Sequence, residues 1–408
     1  MEPAGQDRTP RAAPTLVRFA AFGLAGAEQV WRGLEEAGAA ATPYQRFSWI
    51  AAWQRHVGAP SGTEPLIVVG YGADGAPAML LPLGVRRRLG CRTAEFLGGR
   101  HANFNAAVWR PDALEGATPA DAGAVLAFLR GVRPRIDALA LFDQPLAWEG
   151  AANPLASGRV RPAPHAAWGG RIADLPDRGR PRRLRAKERR MAAIGEIRYF
   201  QPETAAETDA VLDAFLAQKA ARQRAAGVPD AFSGDDVRAF LREACRPTPD
   251  GAPAIELFAM SVGGTIAAVY GGSRAGSRFS FSFNSIADGR LAQHSPGLLL
   301  FAGILPLLEA RGVSTVDLGI GEARYKRGFC PVAEPLCDLV LANGPRGWAA
   351  VAVLLAVQEV KRAVKASPAL SGALRAARRL RAAAGRAASA PRRDLGPLDA
   401  LPTPPNRP

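Results

Sequence analysis

The residues whose types and spacing can do chemistry gather late in the 408-residue chain. Asp317-Leu318-Gly319-Ile320-Gly321-Glu322 runs on into Ala323-Arg324-Tyr325-Lys326-Arg327-Gly328-Phe329. An acid stands at the end of an apolar run that reads as a strand, a glycine loop follows, and a Tyr and a Lys then sit side by side. Strand ends that open into loops are where α/β proteins place reactive groups. Asp317 can act as a base, Tyr325 can give a proton to a leaving group, and Lys326 can hold an anion. The same spacing also fits a purely structural loop.

A second stretch, Gln293-His294-Ser295-Pro296-Gly297-Leu298, leads into an apolar helix predicted over Leu298–Arg311, with a kink at Pro306. Helix N-termini present unpaired N–H groups and a partial positive charge suited to a pyrophosphate. Gly297 lets a ligand approach the backbone closely. An ordinary Pro-Gly helix start reads equally well here. Upstream, eight of the thirteen residues from Arg178 to Arg190 are Arg or Lys. They form either a solvated helix face or a contact for phosphates or an anionic polymer.

The elements that must position these groups are legible in the periodicity. Ile255–Val262, Thr265–Gly272 and Arg278–Ser285 read as an antiparallel meander, with Gly263-Gly264 as a two-residue turn. Phe279, Phe281 and Phe283 alternate with polar residues, and period two places all three rings on one face. Val313–Leu318 and Cys337–Leu341 read as strands, and Val211–Ala225 as an amphipathic helix ending at Gly227. In the first half, Leu66–Tyr71 and Ala78–Val85 form a hairpin around Asp74-Gly75. Trp49 and Trp53 lie four apart on one helix face, where they anchor a helix to a core. Val125–Leu129 reads as a helix and Ile136–Phe142 as a strand. The Gly-, Pro- and Ala-rich stretch 149–181 reads as a crossover.

Length and a 48% hydrophobic content point to two globular domains rather than a disordered chain. The net charge of +15 favours anionic partners without choosing among phosphorylated cofactors, nucleic acid and a membrane surface. Cys91, Cys245, Cys330 and Cys337 show no CxxC spacing and the four histidines are scattered, so no metal is expected. The longest apolar run, Trp348–Val357, is about half of what a transmembrane helix needs. Arg8, Arg11 and Arg18 before Phe19–Ala27 lack a cleavage site, which makes a cytoplasmic location the expectation. No motif for sequence-specific nucleic-acid binding is visible.

Taken in order, Arg178–Gly195, the meander, Ser295-Pro296-Gly297-Leu298-Leu299, Asp317-Leu318-Gly319, Tyr325-Lys326 and Phe329 resemble a known family. It is the GNAT-family acetyltransferase domain of CelD-type cellulose-biosynthesis proteins, also called BioF-like. Pro43–Trp53 and Leu81-Pro82-Leu83 resemble its first lobe, so the resemblance spans roughly residues 40–345.

The resemblance implies an α/β (α+β) fold of two tandem GNAT-like lobes, each a mixed, mostly antiparallel sheet flanked by helices. Its division is a flexible tail 1–14, a first lobe 15–165, an acyltransferase lobe 166–345 and a basic helical or disordered tail 346–408. It implies acyl-coenzyme A, acetyl-CoA first, as co-substrate at His294, Ser295, Gly297 and Leu298, with no metal. Asp317, Tyr325 and Lys326 then form the reaction centre. The acceptor is an amine or hydroxyl on a small molecule or saccharide, in exopolysaccharide or cellulose biosynthesis. The family's Gln/Arg-x-x-Gly-x-Gly/Ala is met in part by His294-x-x-Gly297-x-Leu299. That departure leaves open a Fem-type transferase fed by aminoacyl-tRNA, and a non-catalytic adaptor of a polysaccharide assembly is a third reading.

The tail from 346 carries twelve Arg or Lys against three Asp or Glu. Val351, Leu354, Leu355 and Val360 begin an apolar stripe that Leu370, Leu374 and Ala377 can continue. It reads either as a helix packed on the second lobe or as a peripheral contact with the inner membrane.

Overall fold

A computed structural model describes residues 15–367 and 372, apart from 89, 149, 159, 177–181, 248–250, 322 and 323. The tail 1–14 and the residues beyond 372 lie outside the described residues, as do Leu370, Leu374 and Ala377. The first half runs β1 (Arg18–Phe22), α1 (Leu24–Glu36), α2 (Phe47–Trp53), β2 (Glu64–Tyr71), β3 (Pro77–Arg88), β4 (Cys91–Phe96), β5 (Val108–Trp109), α3 (Pro111–Glu115), α4 (Pro119–Gly131) and β6 (Ala138–Pro145). A small hairpin, β7 (Ala147–Trp148) with β8 (Ala151–Ala152), leads to β9 (Arg161–Arg171). The second half runs α5 (Arg182–Ala192), β10 (Ile197–Phe200), α6 (Ala205–Ala226), α7 (Asp235–Ala244), β11 (Glu256–Val262), β12 (Thr265–Ala275), β13 (Arg278–Ile286), α8 (Pro296–Ala310), β14 (Thr315–Ile320), α9 (Arg324–Phe329), β15 (Val332–Ala342) and α10 (Pro345–Ala366).

Local signals set several boundaries. Thr118 and Asp121 close a capping box on α4, and Thr204 caps α6, which ends on left-handed Gly227. Gly263-Gly264, both at positive φ, make the tight β11–β12 turn.

All strands but β7 and β8 join one sheet, ordered β1-β2-β3-β4-β6-β15-β9-β14-β13-β12-β11-β10, with β5 on β3. In the first half β1 to β4 pair antiparallel and β6 then joins β4 in parallel. In the second half β10 to β13 pair antiparallel and β14 joins β13 in parallel. Each half then receives its next strand from the other: β15 pairs with β6, and β9 pairs with β14. The exchanged strands pair antiparallel with each other at the middle of the sheet. The same order of pairing senses therefore runs outward in both directions.

Two expectations need correction. The stretch 149–181 is no mere crossover, because it contains β9; the sequence Arg-Pro-Ala-Pro-His-Ala-Ala-Trp-Gly-Gly-Arg has little β-propensity and is held by neighbours on both sides. The three Phe rings do not share a face. The β12–β13 register skips Ser282, a β-bulge that inverts the alternation beyond it. Phe279 and Phe281 pack towards α8, with Phe281 5.5 Å from Phe301, whereas Phe283 lies 4.4 Å from Phe215 of α6. Gly271-Gly272 makes room opposite, since a Cβ on Gly271 would run into the Phe283 ring and one on Gly272 into the Phe279 ring. The terminal helix α10 packs mainly on β15 of the second half and also on β4 and β6 of the first, where Ala350 and Val351 meet Cys91 and Ala138. The apolar helix begins at Pro296 and runs on through Pro306.

One core spans both halves: Trp31, Tyr44, Trp49 and Phe104 from the first meet Phe215, Phe240 and Phe283 from the second. Trp49 packs edge-on to Phe240 at 5.1 Å. Beside it lies a buried charge cluster. Arg278 of β13 donates through Nε to Asp317 of β14 at 2.8 Å and through both terminal nitrogens to Glu334 of β15 at 3.0 and 2.7 Å. Its guanidinium also lies over Trp148 and Phe104, 4.6 and 5.5 Å from the ring centroids. Gly169 of β9 keeps the space open, because a Cβ there would stand 3.0 Å from Glu334 Oε1. Burial opposes the charge on Arg278, but Asp317 and Glu334 outweigh it and hold its pKa above the usual value.

Removing one partner of a buried pair strands the other charge. Arg278→Met should cost about 3–5 kcal/mol, and adding Asp317→Asn should recover part of that loss. Urea unfolding of the two variants checks both; an Arg278→Met midpoint equal to wild type rejects the cluster as a stabilising element.

Candidate active site

The parallel pairing of β13 with β14 covers only Arg278↔Thr315, Phe279↔Val316 and Ser280↔Asp317. Beyond it the strands part. On β13 the Ser282 bulge bends the strand; on β14 the register against β9 shifts between Asp317 and Ile320, around Gly319 at φ +70°. A cleft of about 420 Å³ is lined by Tyr270 of β12, Asn284, Ser285 and Ile286 of β13, Gln218, Lys219 and Arg222 of α6, Phe329 of α9 and the start of α8.

The start of α8 carries the residues expected to hold a co-substrate. Ser295 sits at the N-cap in the left-handed region, φ +57° and ψ 56°, after a short turn through His294. No side chain caps the helix. Lys187 of α5 donates to Ser295 Oγ at 2.6 Å, so the described part of the basic run, 182–190, lies beside this helix start. Ser295, Gly297 and Leu298 line the cleft. A Cβ on Gly297 would stand 3.0 Å from Ile286 Cγ2, which makes glycine the residue that keeps the cleft floor low.

Two ammonium groups stand nearby, one half-buried and one buried. Lys219 donates to the Asn284 carbonyl at 3.1 Å, and burial, helped by Arg222, lowers its pKa. Lys326 of α9 donates to the carbonyls of Ile320 at 2.7 Å and Gly319 at 3.3 Å. Burial pushes Lys326 down to about 8; the Lys219 charge adds to the fall while Asp317 opposes it.

Asp317, expected beside Lys326, is there but fully enclosed. Its Oδ2 accepts from Arg278 and from Ser280 Oγ (2.5 Å), and its Oδ1 from the Gly319 N–H (3.0 Å). Tyr325 falls in α9, with its side chain outside the described residues. Lys219, Arg222 and Arg278 were not singled out from sequence. The only signal was an i, i+3 pair of cations on the otherwise apolar core face of α6, which periodicity alone assigns to solvent.

A second cleft of about 130 Å³ meets the same strand at Ser282 and Phe283. Trp49, Phe232 and Phe240 form its apolar walls, and Arg100, His101 and Asn103 supply polar groups. Trp53 Nε1 donates to His101 Nδ1 at 3.0 Å, and burial, with Arg100 adding, drives the imidazole down to about 4. Asn103 Nδ2 donates to the Tyr44 hydroxyl at 2.6 Å, which lies 3.4 Å from Ser282 Oγ. Among the described residues no group of three or more His, Cys, Asp or Glu gathers to hold a metal, and no helix is long and apolar enough to cross a membrane.

No curated protein sequence matches the chain. Among solved structures, FemX superposes with a TM-score of 0.50 at 10% identity, covering 80% of this chain and 98% of FemX. L-PGS from Bacillus licheniformis gives 0.46 at 13% identity over 80% of this chain and 95% of its own. A tandem GNAT protein from the clavulanic acid biosynthesis pathway gives 0.38 at 13% identity, over 80% and 99%. The fold is a mixed α/β one, with a large, mostly antiparallel sheet flanked by helices. Residues 178–327, which hold α5, the start of α8 and Lys326, match the acetyltransferase (GNAT) domain family.

Proposed function

We propose that the protein is an acyltransferase that moves an acyl group, acetyl first among them, from acyl-coenzyme A to an amine or hydroxyl acceptor. A saccharide of exopolysaccharide or cellulose biosynthesis is the acceptor class the family resemblance favours. The observation that carries the reading is the parting of β13 from β14 beside an uncapped helix start, in a cleft fringed by Lys187, Lys219 and Arg222. The residues present fit the donor: Gly297 keeps the floor low for its chain, and the three cations can meet its phosphates.

The donor supplies a thioester, whose acyl carbon the acceptor attacks. Lys326 is assigned to the negative charge that develops on the acyl oxygen. Two of its three donors are fixed on carbonyls, and the third stays available in a partly dry site where a charge acts strongly. Asp317 is assigned to positioning: it sets the Gly319 turn and keeps Lys326 charged more than burial alone would allow. Ser295 and Gly297 are assigned to the donor's pyrophosphate end, with His294 and Leu298 flanking it, and Tyr325 to the leaving thiolate. The acceptor reaches the bulge through the second cleft, whose Ser282 borders the residues lining the first.

Titration calorimetry with coenzyme A tests the donor site. Gly297→Val should weaken binding at least about tenfold, roughly 1.4 kcal/mol, without lowering the melting temperature; unchanged affinity rejects the site. Native mass spectrometry with acetyl-CoA, longer acyl-CoAs and charged tRNA separates the donors, and retention of charged tRNA alone overturns the acyl-CoA reading.

The pH profile tests Lys326. A group that works as a cation is active below its pKa, so the turnover rate should fall as pH rises through about 8. Lys326→Met should lower the rate by about 10²–10³-fold, while Lys326→Arg keeps the charge and removes the alkaline fall. A rate that rises through this range shows that Lys326 acts as a base instead.

A further inference from the structure

We propose that the outer face of α10, together with the arginines at its N-terminal end, is a docking surface for an anionic lipid bilayer. The helix has two apolar sides. One packs on the sheet through Ala350, Val351 and Leu355. The other is bare: Val353, Val357 and Val360 are 45%, 46% and 63% exposed. Arg346, Val353, Val357 and Val360 recur at helical spacing and so form one stripe. Ala349, Ala352, Ala356 and Ala363 beside it are exposed as well. Glu359 is the one acid on the helix, and Arg362 pairs with it.

Charge chooses the occupant. The N-terminal end of α10 abuts the β3–β4 turn and the segment that leads into β6. Cys91 Sγ lies 3.3 Å from the Arg346 carbonyl, and Arg135 donates to the Asn343 carbonyl at 2.7 Å. Arg87, Arg88, Arg130, Arg133, Arg135 and Arg346 are all exposed on this end. Of the acids here, Glu95 pairs with Arg88, Glu64 pairs with Arg92, and Asp137 accepts from the Arg92 backbone N–H. A bare valine stripe that leads up to Arg346 and a cluster of arginines matches the layered chemistry of an anionic membrane surface: acyl boundary beside phosphate headgroup.

Co-sedimentation of the full chain with vesicles tests the proposal. Binding is expected to vesicles of equal parts phosphatidylcholine and phosphatidylglycerol, not to pure phosphatidylcholine, and should weaken as salt rises through the physiological range. Val357→Glu with Val360→Glu should cut the bound fraction roughly tenfold. Both positions are exposed, so the melting temperature should not change. Arg87→Ser with Arg133→Ser should reduce binding to anionic vesicles and leave the valine stripe intact. Equal sedimentation with both vesicle types, or binding untouched by the valine pair, overturns the proposal. So does a dimer in sedimentation velocity that the valine pair dissolves.

Discussion

One buried guanidinium determines how the two halves meet. Arg278 stands where β13, β14 and β15 converge, and all three of its guanidinium nitrogens donate to Asp317 or Glu334. Its flat faces lie against Trp148 and Phe104, which belong to the other half. A cation cannot remain dry without such partners, so the strands that supply them must lie in register around it. The strand exchange follows from the same demand: β15 brings Glu334 in from the end of the chain, and β9 passes between β14 and β15 with Gly169 in place of any side chain that would crowd the carboxylates.

Much of the fold was legible because local signals agreed with it. The β11–β12–β13 meander, the Gly263-Gly264 turn, the end of α6 at Gly227 and the burial of Trp49 and Trp53 all follow from periodicity and turn chemistry. What escaped was set by partners far away in sequence. Nothing within residues 161–171 marks a strand; two prolines and two glycines count against it, and only the flanking β14 and β15 hold it extended. The Ser282 bulge escaped for a related reason. Alternating Phe and Ser reads as a regular strand, and the inversion is dictated by Gly271-Gly272 on the neighbouring strand, where bare backbone admits a ring from either side.

The candidate site divides along the same line. Ser295, Gly297 and Leu298 were visible because a helix start is a local feature, and they do line the cleft. Lys326 was visible as a residue type at a strand-loop-helix junction, but its environment was not: the carbonyls that hold it belong to Gly319 and Ile320, and the charge that opposes it sits on α6. Asp317 looked like a base by type and position. Its enclosure depends on Arg278 and Ser280, some forty residues away, a distance no motif spans.

The cations Arg278, Lys219 and Lys326 also differ in how they are compensated, and that difference bears on function. Arg278 has two carboxylates, and its charge is held more firmly than in water. Lys219 and Lys326 have backbone carbonyls as hydrogen-bond partners, and burial makes the charge on each harder to keep. A fold built only for stability gains nothing from two under-compensated ammonium groups close enough to repel, and neutral side chains of similar length would fill the same space at lower cost. Their placement beside a cleft, next to an uncapped helix start, is what a site would show if its missing counter-charge arrived with a ligand. On the proposed function, Arg278 is the cation the fold requires, and the two lysines are the cations that meet a substrate's negative charge.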